Sequence, residues 1–159
     1  MFKKAERILA AAVIVLGCGS VAAWGQGSPN AAAPQKAALT EGRTPAPKGA
    51  EVYFHYPIDG IRVSQRFTVR MGLRGMGIAP AGVEKPATGH HHLLIDADDV
   101  DLNQPIPSDY NHVHLGNGQT EVVLTLPPGR HTLQLLLGDA AHIPHVPPVM
   151  SKKITVTVR

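Results

Sequence analysis

Proline and glycine restrict what this chain can become. Fourteen prolines and sixteen glycines are spread through 159 residues, and past residue 25 no window of about eleven residues carries an apolar stripe at helical spacing. What lies between the breakers alternates with a period of two. Phe67, Val69, Met71 and Leu73 share one face of the segment 66–73, and Val122, Leu124 and Leu126 share a face of 121–126. Leu133, Leu135 and Leu137 do so in 130–137, and Ile154, Val156 and Val158 in 153–158. Alternation bounded by turn residues predicts strands. Further strands are expected at 52–56, before Pro57 and the Asp59-Gly60 turn, and at 90–95. The Pro127-Pro128-Gly129 turn is expected to join 121–126 and 130–137 as a hairpin. Six or seven short strands in about 110 residues predict an all-β fold, a single antiparallel β-sandwich of immunoglobulin-like or cupredoxin-like type. The stretches 75–88 and 98–118 are then loops, where a rigid sandwich usually carries its function.

Upstream of the domain the chain changes character. Lys3, Lys4 and Arg7 precede an apolar run from Ile8 to Leu16 and a series of small residues. This is the pattern of an export signal over residues 1–25, and it is shorter than the roughly 20 apolar residues of a membrane span. Two exits are open. Val15-Leu16-Gly17-Cys18 resembles a lipoprotein box that would lipidate Cys18, while Val21-Ala22-Ala23 fits cleavage after Ala23 or Gly25. In either case no cysteine remains for a disulfide or a thiolate site. Residues 26–50 are rich in Ala, Pro and small polar residues and predict a disordered linker, leaving 51–159 as the folded domain. The expected location is therefore the periplasm or a lipid-anchored position in the envelope, with membrane contact only through the signal or the lipid. Of the formal charge of +3, three basic residues against one acidic in the signal account for +2. The +1 that remains, with no basic stripe or stacking platform, gives no sign of a nucleic-acid partner, and none is expected.

Nine histidines are the chemical content of the domain. In Gly89-His90-His91-His92-Leu93-Leu94-Ile95-Asp96, residues i and i+2 of a strand lie on one face about 6.5–7 Å apart. His90 and His92 thus point together, and His91 points with Leu93 and Ile95 into the apolar layer. His112-Val113-His114 repeats the spacing. Paired imidazoles on extended backbone suit Zn or Cu. His142 and His145 stand in Pro-punctuated sequence that excludes a helical site, and an extended Pro-rich backbone with three residues per turn returns both to one side. Hydrogen bonding of these two to the backbone is the alternative. Asp96 falls on the His90 face by alternation and, with Asp139, is a candidate ligand or an acceptor that orients an imidazole; the alternative for Asp96 is a turn residue that ends the strand. The other acidic residues at 98, 99 and 101 read as a loop. His131 alternates in phase with Leu133 and predicts a satisfied core histidine. His55 has no partner in sequence. Met71 and Met76 read as packing residues rather than soft copper ligands. No nucleophile elbow frames a serine, although Ser108, Asp109 and the 112–114 histidines contain the residue types of a hydrolytic set.

GHHHLLID, HVHLGNGQTE and LPPGRHTLQLLLGDAAHIPHVPPVMSKKITVTV, in this order, resemble the exported bacterial domain of unknown function numbered 4399, over roughly residues 51–159. The resemblance implies an exported single domain and no established activity. Its recurring positions fall at His90, His91, His92, Asp96, His114, Gly118, Gln119, His131, Asp139, His142 and His145, none with an assigned role. The residues themselves lead to an envelope binding domain in which His90, His92, His112, His114, His142 and His145, with Asp96 or Asp139, hold Zn or Cu. The rival is a metal-free interaction module for an envelope partner, its histidines forming a hydrogen-bond network. A metal-dependent hydrolase is the third.

Overall fold

Apolar alternation becomes strand at each of the six segments where the pattern predicts it. The computed structural model describes residues 42–159. The signal, Cys18 and the linker up to residue 41 lie outside the described residues. The strands are β1 (Glu51–Tyr56), β2 (Arg62–Val63), β3 (Arg66–Arg74), β4 (Gly77–Ile78), β5 (Thr88–Ile95), β6 (His112–His114), β7 (Glu121–Thr125), β8 (Gly129–Gly138) and β9 (Ile154–Val158). The three that the pattern leaves out, β2, β4 and β6, are two or three residues long, too short to show any period.

Two sheets form. One has the order β1-β3-β7, and the other runs β2-β9-β8-β5-β4 with β6 also paired to β5. The apolar faces meet in one core. Phe67, Val69, Met71 and Leu124 come from the first sheet, and Leu93, Ile95, Leu133, Leu135, Leu137, Val156 and Val158 from the second. The fold is an all-β sandwich. Its pairings are mostly antiparallel, with β2–β9 and β4–β5 parallel.

The expected hairpin between 121–126 and 130–137 does not form. β7 pairs with β3, whereas β8 pairs with β5 and β9, so the Pro127-Pro128-Gly129 turn carries the chain from one sheet to the other. Two consecutive prolines supply no N–H to a ladder. Leu126 instead donates its N–H to Gln65 O at 2.9 Å, which holds the end of β7 beside β3.

Residues 43–46, placed in the linker by their composition, are bonded into the domain. Ala46 N–H donates to Val146 O at 2.8 Å and Val146 N–H to Thr44 O at 2.9 Å. The Arg43 guanidinium reaches the carbonyls of Pro144 and His145.

β5 lies between β8 on one side and β4 and β6 on the other, and both of its faces are covered. His91, Leu93 and Ile95 face the sandwich core. On the opposite face Leu94 joins Leu136 and Ile106 in a second apolar cluster. The same face, nearer the start of the strand, carries His90 and His92.

Candidate metal centre

Strand register decides which histidines meet. His92 is opposite Leu136 on β8 and His114 on β6, and His90 is opposite Gly138. The rings of His90, His92 and His114 therefore project from one face of the sheet. His142 arrives from the turn after β8, with φ at 67°, a left-handed conformation uncommon outside glycine. Ring centroids in this four-histidine group are 4.8–6.0 Å apart. Nitrogens of His90, His114 and His142 all lie within 4.8 Å of one another, and His92 Nε2 is 3.0 Å from His90 Nε2.

Two glycines make room for these rings. A Cβ on Gly138 would lie 2.9 Å from His92 Nε2, and one on Gly116 would overlap the His114 ring. His90 and His92 form a fully buried floor, while His114 and His142 are partly open to solvent. Among the described residues His90 Nδ1, His92 Nδ1 and His114 Nε2 are buried nitrogens without a hydrogen-bond partner. Burial holds the pKa of His90 down at about 4 and of His92 at about 3, neighbouring imidazoles adding to the effect, with the Asp139 charge pulling partly the other way at His90. His114 is lowered as well, by burial and then by His142. His90, His92 and His114 thus stand ready as neutral nitrogen donors.

The geometry is close to that of a metal site. Nitrogens bound at about 2.0–2.1 Å to one tetrahedral ion stand about 3.3–3.4 Å apart, and adjacent positions on a square-planar ion stand about 2.9 Å apart. The His90–His92 separation falls between these values.

Four sequence candidates lie outside this group. His112 sits one step further along the face, opposite Leu94, and its Nδ1 is 2.7 Å from Asp109 Oδ1, a bond that holds the Asp109 carboxyl below its usual range. His145 is fully buried, with its ring nitrogens facing the carbonyls of Leu137 at 3.5 Å and Thr88 at 3.2 Å, so the backbone-bonded alternative describes it. Asp96 leaves the histidine face because φ there is 48°, which breaks the alternation. Its carboxylate turns to β8 instead, 2.6 Å from His131 Nδ1 and accepting Thr132 N–H at 2.7 Å. Asp139 is buried and engaged with the backbone of the His142 turn. His91 is fully buried on the core face, with neither ring nitrogen partnered. Gly116 and Gly138 escaped notice in the sequence, where only their closeness to HVHLG and LLLGDAAH marks them.

A family model described as "Domain of unknown function (DUF4399)" matches residues 69–159. The chain belongs to the DUF4399 family. The DUF4399 match begins inside β3, later than the span of the motif resemblance, and takes in all four clustered histidines, both cradle glycines and Asp139. No curated protein and no solved structure matches the chain.

Proposed function

We propose that this DUF4399 domain binds a divalent transition-metal ion, Zn(II) or Cu(II), through His90, His92, His114 and His142, and does so in the cell envelope. The observation that carries the proposal is the convergence of four imidazoles from three separate segments, with the Nε2 atoms of His90 and His92 3.0 Å apart and His114 Nε2 buried without a partner. An unpaired buried polar atom costs about 1–3 kcal/mol, and an ion shared with the two Nε2 atoms would relieve that cost at His114. A donor set of imidazole nitrogens without thiolate or carboxylate suits Zn(II) or Cu(II) over Mg(II), Ca(II) or Mn(II). The basic-apolar-small N-terminus supports the envelope location, with Cys18 the point of attachment if it is lipidated.

Protein purified without a tag, stripped of metal and titrated with Zn(II) or Cu(II) against a competing chelator should take up one ion per chain. The double change His90→Ala with His92→Ala should abolish tight uptake, and His55→Ala, at an exposed site on β1, should leave it intact. A parent with no affinity, or a double variant with undiminished affinity, would return the histidines to the metal-free network. That second reading has its own support in the 3.0 Å contact between His90 Nε2 and His92 Nε2, which one ring can donate and the other accept.

A further inference from the structure

The turn that presents His142 is held by two residues far upstream. Asp139 organises the turn from inside: Oδ1 accepts the N–H groups of Ala141 at 2.9 Å and Ile143 at 3.0 Å, and the backbone carbonyl accepts His142 N–H at 2.9 Å. Its other oxygen, Oδ2, accepts the Thr44 hydroxyl at 2.7 Å. Arg43 grips the far side of the same turn, donating from Nε to Pro144 O at 3.0 Å and from Nη2 to His145 O at 2.7 Å. His142 thus sits in its left-handed conformation between a carboxylate staple and a guanidinium fork.

We propose that Arg43, Thr44 and Asp139 are positioning residues that set the metal affinity of the histidine cluster by holding His142 against the other three rings. This inference rests on the metal-binding reading of the cluster. His90, His92 and His114 are fixed by the ladder of the sheet, whereas His142 has no strand of its own. The entropy of ordering its turn is therefore the part of the site that other residues can change. Residues 43–46 are then part of the binding site's support and not merely a tether. Groups that orient a ligand from behind typically change metal affinity about 10–100-fold when removed.

The test uses the full chain with Zn(II) and, for its absorption spectrum, Co(II). Thr44→Val and Arg43→Gln should each weaken Zn(II) binding about tenfold or more, while Thr44→Ser, which keeps the hydroxyl, should bind as the parent does. The Co(II) spectrum of Thr44→Val should move towards that of His142→Ala, and amide exchange at Ala141 and Ile143 should quicken. In a His142→Ala background Thr44→Val should weaken binding no further, because the two changes act through one ligand. Parental Zn(II) affinity and Co(II) spectrum in both Thr44→Val and Arg43→Gln would overturn the positioning role while leaving the metal site standing. Equal losses in the presence and absence of His142 would also overturn it. A parent chain that takes up neither ion overturns the metal site itself, and the positioning role with it.

Discussion

The ring of His92 packs on the bare Cα of Gly138: a Cβ there would stand 2.9 Å from Nε2 and 3.2 Å from Cδ2, and 3.3 Å from the Cα of His142. Two of the four clustered histidines therefore depend on one missing methyl group. Gly138→Ala should push His92 off its place and His142 outward, lowering Zn(II) affinity and costing about 1–3 kcal/mol of stability as an overpacked site. Chelator competition and urea unfolding of the same preparation check both effects. Parental affinity in this variant would show that the ring positions are looser than the packing requires.

His91 should behave in the opposite way. It is fully buried among Leu93, Leu137 and their neighbours with both ring nitrogens unpartnered, and burial holds its pKa down at about 4. Replacing a buried, unsatisfied polar group by an apolar one of similar size removes a desolvation penalty of about 1–3 kcal/mol. His91→Leu should raise the urea midpoint and leave metal uptake unchanged, since His91 points away from the cluster. A lowered midpoint would mean that the imidazole has a bonding role in the core.

The contrast between these neighbours explains what was legible in the sequence. Period two separates His90 and His92 from His91 because alternation is a property of a single strand. It likewise assigns Phe67, Val69, Leu135 and Val156 to the core. It is silent on pairing between strands, so the Pro127-Pro128-Gly129 turn reads as a hairpin while in fact it crosses between sheets. Alternation places Asp96 on the histidine face for a related reason: one residue at positive φ ends the strand there, and a local pattern leaves the ligand and strand-end readings both open. His142 and His145, three residues apart in the same Pro-rich stretch, look equivalent until the turn directs one ring to the cluster and the other to the carbonyls of Leu137 and Thr88. The support from Arg43 and Thr44 was hidden by composition, because an Ala- and Pro-rich segment reads as linker unless its few hydrogen-bonding side chains are seen against their partners.

Acid should unfold the metal-free domain through its buried histidines. His90 and His91 have folded-state pKa values of about 4 and His92 of about 3, while the unfolded chain titrates near 6.5. Below that pH the unfolded state binds more protons, so stability is fully present above pH 6.5 and is lost as the pH falls towards 4. Each group contributes up to about 1.4 kcal/mol per pH unit in that window, less where neighbouring rings share the burden. The urea midpoint should fall steadily between pH 6.5 and 4.5, and more steeply with Zn(II) bound, because protons also compete for the ligands. A flat midpoint in metal-free protein would mean that the rings are protonated in the folded state.

His131 gives the opposite sign. Its Nδ1 is 2.6 Å from Asp96 Oδ2 and its Nε2 2.9 Å from Pro127 O. Both partners only accept, so both ring nitrogens donate and the imidazolium is the favoured form. Partial burial lowers the pKa of this histidine, but the hydrogen bonds to Asp96 and Pro127 and the Asp96 charge outweigh it, and the net shift is upward. The stability from this pair is fully present below about pH 6.5, the ordinary value for histidine, and is lost as the pH rises through the higher folded-state value. Asp96→Asn should remove it. In a two-dimensional imidazole titration the parent should show one histidine titrating above the ordinary value, and in Asp96→Asn that resonance should move down. The variant should also lose stability at pH 6, and less of it at pH 8.5, where the parent has lost the charge as well. Because Asp96 also accepts Thr132 N–H at the end of β5, part of the loss should persist at both pH values. If the His131 resonance titrates at the same pH with and without the carboxylate, the pair is not an ion pair in solution, and its role is limited to closing the β5–β8 strand end.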